Sequence, residues 1–154
     1  MRRSYVEAPQ RYEGTGPAVF LAGGITGCPD WQAVAATHLL THADVLNPRR
    51  RIYIASGDEG DEGDEYARQV EWEFEHLRRA DLIMFWFAAR QIQPVALFEL
   101  GAFAASEKPI VVGAYPAYPR RTDVVLQLSH ARPELAVHSS LESTLAAVVR
   151  TLGS

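Results

Sequence analysis

The stretch "DLIMFWFA" (81–88) restricts this chain more than any other. After its opening aspartate every side chain is apolar, with no alternation of polar and apolar positions. A strand of that kind has both faces covered, as in a parallel sheet with helices on either side. Four more strands follow from the same logic: "AVFLAGG" (18–24), "DVLN" (44–47), "PIVVGA" (109–114) and "LAVHS" (135–139). Between them lie stretches with helical spacing. "CPDWQAVAATHLLTHA" (28–43) has Asp30 as its N-cap and repeats apolar positions at Trp31, Val34, Ala35, His38 and Leu39. "YARQVEWEFEHLRRA" (66–80) places Val70, Phe74 and Leu77 on one face. A third helix covers about 95–106, "VVLQLS" (124–129) forms a short one, and "LESTLAAVVRTL" (141–152) closes the chain. Alternating strand and helix predicts an α/β three-layer sandwich around a five-stranded parallel doubly wound sheet, flavodoxin-like or Rossmann-like. Residues 1–16 are polar and read as an added edge strand or a flap.

The length of 154 residues suits a single domain with a sizeable core. A net charge of −4 argues against nucleic acid or an anionic membrane as the partner. Cys28 is the only cysteine, so an intrachain disulfide and a CxxC pair are both excluded. The N-terminus lacks the apolar stretch of a signal peptide, and no apolar run is long enough to span a bilayer. A cytoplasmic protein is the expectation.

Ligands of such sheets bind beyond the carboxyl ends of the strands, at the switch in strand order. That directs attention to Gly23, Gly24 and Asp30 after the first strand, Asn47 and Arg49 after the second, Phe87 at the end of the third, and the helix that follows it. Glu99 stands out in that helix: between Asp81 and Glu107 the only charged residues are Arg90 and Glu99, and Phe98 and Leu100 flank the glutamate. Burying an unpaired carboxylate is costly. Its place near the helix start predicts stabilisation of the ionised form by the helix dipole, and the structural alternative is a cap or a pair with Arg90. Glu73 shares the face of Val70, Phe74 and Leu77, which turns it inward, with Gln69 and His76 beside it. Glu75 is placed to pair with Arg79. Two inward carboxylates are the equipment for breaking a glycosidic bond; for Glu73 the structural alternative is a salt bridge to an arginine.

Other features are less specific. "AGGITG" matches neither a dinucleotide nor a phosphate loop, and Gly23 and Gly24 are read as allowing close approach of a ligand. Trp31 is placed to stack on a base or to pack in the core. "RRR" (49–51) can hold an anion or pair with the acidic run "GDEGDEGDE" (57–65), which lacks the calcium-loop spacing. The five histidines have no ligand spacing, so no metal and no cofactor are expected.

"VFLAGGITGCPDWQ", "NPRR", "QVEWEFEHLRRADLIMFWF" and "LFELGAFAASEKPIVVG" together resemble the nucleoside 2-deoxyribosyltransferase family, in the family's order, over roughly residues 18–125. The resemblance implies a transferase of nucleotide salvage that cleaves the N-glycosidic bond of a 2′-deoxynucleoside and passes the sugar to another base. It makes Glu99 the nucleophile and Glu73 a second catalytic residue that holds the nucleophile or sugar in place or shares the proton traffic, with Asn47, Gln69 and Trp31 as candidate substrate contacts. It further implies a homo-oligomer in which Asp123 meets the sugar 5′-hydroxyl across a subunit interface. Two positions depart from the family pattern. Phe20 stands where many members have a tyrosine that orients the nucleophile, and Gln93-Pro94 stands where an aspartate helps protonate the base. Related enzymes hydrolyse nucleotide N-glycosidic bonds instead, with Arg49 or Arg50 available to hold a 5′-phosphate. A non-catalytic nucleotide-sensing module is the third alternative.

Overall fold

The apolar runs form the centre of the sheet in the computed structural model, which describes residues 2–51 and 61–154. The elements are β1 (Tyr5–Glu7), β2 (Ala18–Gly23), α1 (Trp31–Leu39), β3 (Asp44–Asn47), α2 (Asp61–Arg79), β4 (Leu82–Phe87), α3 (Pro94–Ala104), β5 (Ile110–Ala114), α4 (Arg121–Ala131), β6 (Val137–His138) and α5 (Leu141–Leu152). The six strands lie in the order β1-β3-β2-β4-β5-β6, all parallel. From β2 the chain steps to β3 on one side, then crosses to β4 on the other. The switch in strand order therefore falls at the carboxyl end of β2, where a ligand crevice forms.

Strand periodicity sorts the core into two layers. Val19, Leu21, Leu82, Met84 and Trp86 meet α1 and α5. Phe20, Ala22, Ile83, Phe85 and Phe87 meet α2, α3 and α4. Every residue of β4 is buried, which explains why its sequence is apolar without alternation.

The expected α/β sandwich is present, with six strands rather than five. The added strand is β1, which pairs with β3 from Tyr5↔Val45 to Glu7↔Asn47. Several element ends differ. Helix α1 runs from Trp31 to Leu39, because Asp30 caps it by accepting from Ala33 N. Val34 and His38, expected on its inner face, are exposed. Helix α2 begins at Asp61, so the end of the acidic run lies within it. Residues 57–60 of that run lie outside the described residues. Helix α4 extends over eleven residues, and β6 has only two.

The face that α2 buries is rotated from the expected one. Leu77 is buried, but Val70 and Phe74 are 50% and 55% exposed. The inward positions are Trp72, His76 and Leu77. Long-range contacts select them: Trp72 packs on Phe20 and on the His76 ring, and its indole donates to Gln10 O. His76 Nε2 accepts from Tyr12 N at 3.0 Å, and Tyr12 donates its hydroxyl hydrogen to Asp44 at 2.6 Å. The N-terminal segment thereby straps α2 to the sheet. Arg79 is drawn to Gly14 O and Asp81 rather than to Glu75.

Candidate active site

The loop after β2 is held rigidly by its own polar groups. Gly24 O accepts from the Trp31 indole and from Gln32 Nε2, both at 3.0 Å. Arg49 closes the loop from the β3 side, donating to Pro29 O, Cys28 O and Gln32 Oε1, with Asp30 at 3.9 Å. Protein atoms fill the space over both glycines. A Cβ on Gly23 would meet Trp86 O at 2.2 Å, and one on Gly24 would meet Cys28 Sγ at 2.4 Å. Gly23 also has φ +155°, a conformation that favours glycine. Trp31 is buried in the α1 layer of the core.

A cleft of about 730 Å³ opens beside this loop, with Tyr5, Thr26, Asp30, Asn47, Arg49 and Arg50 among its lining residues. Asn47 is buried and doubly bonded: its amide donates to the Tyr5 hydroxyl, and its Oδ1 accepts from Arg49 N. Arg50 lines the cleft and also donates to Gln69 Oε1 at 2.6 Å and to Glu65 at 3.2 Å. Its Nη2 is buried without a hydrogen-bond partner among the described residues. Gln69 is fixed in turn by donating to Pro48 O.

Neither Glu73 nor Glu99 lines this cleft, though the Arg50 charge reaches Glu73. Both are half-buried. Burial pushes the Glu73 carboxyl up to about 7, against the pull of the Gln69 amide and the Arg50 guanidinium. Burial, and then the charge of Glu73, push the Glu99 carboxyl up to about 8. The charge of Glu73 is thus felt at Glu99, and burial is the larger cause at both groups. No salt bridge reaches either of them among the described residues, so the structural alternatives, a pair with Arg90 or another arginine, are absent there.

The sequence reading of Glu99 needs one correction. Helix α3 starts at Pro94, which puts Glu99 beyond the first turn, where the dipole has faded. Desolvation wins, and the free carboxyl is held protonated near neutrality rather than ionised. Arg50 favours ionised Glu73, and the charge of Glu73 in turn favours protonated Glu99. Such an arrangement can supply one carboxylate and one acid.

The other residues singled out in the sequence are dispersed. Phe87 is fully buried and stacks on Tyr118 at 5.0 Å, forming the floor under the site. Phe20 is buried against Trp72. Asp123 is exposed at the start of α4, paired with Arg120 at 2.9 Å, and it lines a groove between α3 and α4. That groove is on the flank of α3 away from Glu99, since Leu97 and Gly101 line it too. Gln93, where the family pattern has an aspartate nearby, adopts a left-handed conformation at the start of α3. Its amide folds back to donate to Ala88 O and Gln91 O, and its Oε1 is buried without a partner among the described residues. The sequence did not mark Gln32 or the partial burial of Arg50, because Gln32 is held by Gly24 O and Arg49, and Arg50 by Gln69 and Glu65, contacts that only the fold creates. Among the described residues, no three His, Cys, Asp or Glu side chains are grouped to hold a metal ion. No described helix is long and apolar enough to cross a membrane.

A family described as nucleoside 2-deoxyribosyltransferase like matches residues 16–118, from the start of β2 through α3 and β5 and including both carboxylates. The match covers well over half of the chain, which therefore belongs to that family. No curated protein matches the chain.

Proposed function

We propose that this member of the nucleoside 2-deoxyribosyltransferase-like family cleaves the N-glycosidic bond of a 2′-deoxynucleoside and transfers the sugar to another base. The observation that carries the reading is the pair of inward carboxylates, one from α2 and one from α3, whose affinities for a proton are both raised by burial, that of Glu99 also by the charge of Glu73. In the free protein the pair holds one proton. As substrate binds, the proton passes to Glu73 and Glu99 becomes the carboxylate. Glu99 attacks C1′ as the bond to the base breaks, and the departing base nitrogen takes the proton from Glu73. The product is a deoxyribosyl ester on Glu99 and a free base. An incoming base then attacks C1′, releases Glu99 and returns its proton to Glu73, with net retention. Phe20 and Gln93 leave no hydroxyl or carboxyl at two positions where family members have one, so Glu73 carries the proton alone.

Asn47 and Gln69, held in fixed orientation by Tyr5, Arg49 and Arg50, are the candidate polar contacts to base and sugar. Asp123 is too far around α3 to serve its own Glu99, so it is assigned to the site of a second copy in a homo-oligomer. The setting is cytoplasmic. A second reading is favoured by Arg50, whose buried Nη2 lacks a partner at the cleft. In that reading the substrate is a nucleotide, its phosphate meets Arg50, and water resolves the ester.

The test is base exchange: a 2′-deoxynucleoside with a different free base, for wild type and Glu99→Ala. New nucleoside from wild type alone supports the transferase. Free base and free sugar, with the monophosphate preferred, would replace it by the hydrolase.

A further inference from the structure

Among the described residues two that are not glycine have left-handed backbones, Ala89 with φ +60° and Gln93 with φ +56°. Both lie in the loop 88–93 that joins β4 to α3. L-residues adopt that conformation at a cost, so the surroundings have to hold it. Helix α3 starts from this loop: Pro94 opens its first turn, and Leu97 N donates to Gln93 O at 3.1 Å. Glu99 follows Gln93 by six residues, about 9 Å along the helix. Whatever fixes the loop therefore fixes Glu99.

The Gln93 side chain is the part best placed to do so. It is 8% exposed. Its amide nitrogen donates to Ala88 O and to Gln91 O, so both of its hydrogens go to carbonyls of the loop itself. Turning the amide over would set Oε1 against the same two carbonyls, so the donors decide its orientation. That oxygen is buried without a partner among the described residues. A side chain that only filled this space would be apolar, because a buried unpaired oxygen is costly. The same carboxamide reaches across to the loop after β2, the strand that neighbours β4. A Cβ on Gly24 would meet Gln93 Cδ at 2.6 Å and Oε1 at 2.7 Å. Beside it, Cys28 Sγ lies 3.9 Å from Ala88 O and 3.8 Å from Gln91 Oε1. Tyr118, stacked on Phe87, donates its hydroxyl hydrogen to Ile92 O and holds the loop from β5.

We propose that Gln93 is a positioning residue: its carboxamide clamps the loop after β4 onto the loop after β2 and so sets the line along which Glu99 meets C1′. The effect on turnover rests on the reading of Glu99 as the nucleophile; the clamp itself does not. Reacting atoms have to be held closely, and a displacement of about 1 Å costs on the order of 10²-fold in rate.

The experiment uses Cys28, the only cysteine, which is buried beside the clamp. Its alkylation by iodoacetamide under native conditions reports opening of the two loops. Gln93→Glu keeps the shape, but an ionised carboxylate has no hydrogen to donate to the two carbonyls. Gln93→Gly removes the side chain and tolerates the left-handed backbone, which separates loss of the clamp from strain. In both variants Cys28 should react about tenfold faster or more, as the loss of two hydrogen bonds predicts, with helical circular dichroism unchanged. In base exchange kcat should fall about 10- to 100-fold while KM stays within about threefold. A Cys28 rate unaltered in both variants overturns the clamp. Faster alkylation with wild-type kcat overturns the positioning of Glu99. A wild type that exchanges no base counts against the nucleophile, and the thiol then still decides the clamp.

Discussion

Helices α3 and α5 have nearly the same length and cover opposite faces of one sheet, yet they distribute their residues in opposite ways. Helix α5 opens on Ser140, whose hydroxyl accepts from Ser143 N at 3.0 Å. It puts Glu142 in its first turn and Arg150 in its last, and it buries Leu145, Ala147 and Val148. Each choice agrees with capping, dipole and burial preferences. Helix α3 has no side-chain cap, starts from a left-handed Gln93, exposes Phe98 and half-buries its one charge. A helix that serves only the fold sorts its residues by burial. One that inverts the sorting does so where chemistry or a partner requires it.

The difference between the two helices can be broken experimentally, and the largest effect belongs to Glu99. Glu99→Ala should lower turnover by about 10⁴-fold or more, as removal of a nucleophile does, while its circular dichroism stays that of wild type. Turnover near the wild-type rate would return Glu99 to a structural role. The reverse profile is expected in α5. Leu145→Ala should cost about 2–5 kcal/mol in urea unfolding, with turnover per folded molecule unchanged. Phe98→Ala, measured where the chain is dilute, should cost no more than about 0.5 kcal/mol. Equal costs would mean that the outer face of α3 is packed within the monomer.

Glu73→Gln comes next. It keeps the shape and removes the proton carrier, so turnover should fall about 10²-fold. Wild-type turnover should be bell-shaped in pH between the two carboxyl values, about 7 and about 8. Below that range both groups are protonated and the nucleophile is lost; above it the pair has no proton for the base. Glu73→Gln should remove one limb. A profile unchanged by the substitution would dissociate Glu73 from the proton.

The smallest effect is on stability. The Glu99 carboxyl rises from its ordinary 4.5 to about 8 on folding. The stability this represents is fully present below about 4.5 and is lost as pH rises through 8, because ionisation then favours the unfolded chain. Gln cannot ionise. Glu99→Gln should therefore melt progressively higher than wild type as pH goes from 5 to 9, by a few degrees at the top. A gap that narrows with rising pH would place Glu99 against a cation.

The same contrast separates what could be read in the sequence from what could not. Strands β2, β4 and β5 were legible because their neighbours bury them on both faces, so their apolar runs are unbroken. The edge strands were legible only in outline: β6 was expected over five residues and pairs over two, and residues 1–16 read as either an edge strand or a flap, since two or three half-buried residues leave little pattern. Glu99 was legible through its apolar neighbours, a local signal. Its protonation was misjudged, because burial and Glu73 outweigh a dipole one turn away. The inward turn of Glu73 was read from a face that Val70 and Phe74 do not bury. What selects the face is Trp72, held by Gln10 and Phe20, and a contact across 62 residues leaves no periodicity in the helix itself.

The central claim is a covalent bond between Glu99 and the sugar, and acid quenching followed by peptide mass mapping tests it most directly. Wild type mixed with a 2′-deoxynucleoside, without an acceptor base, should carry one deoxyribosyl group on the peptide containing Glu99, and Glu99→Gln should carry none. Base released with no adduct on any peptide, or an adduct on Glu73, would contradict the account.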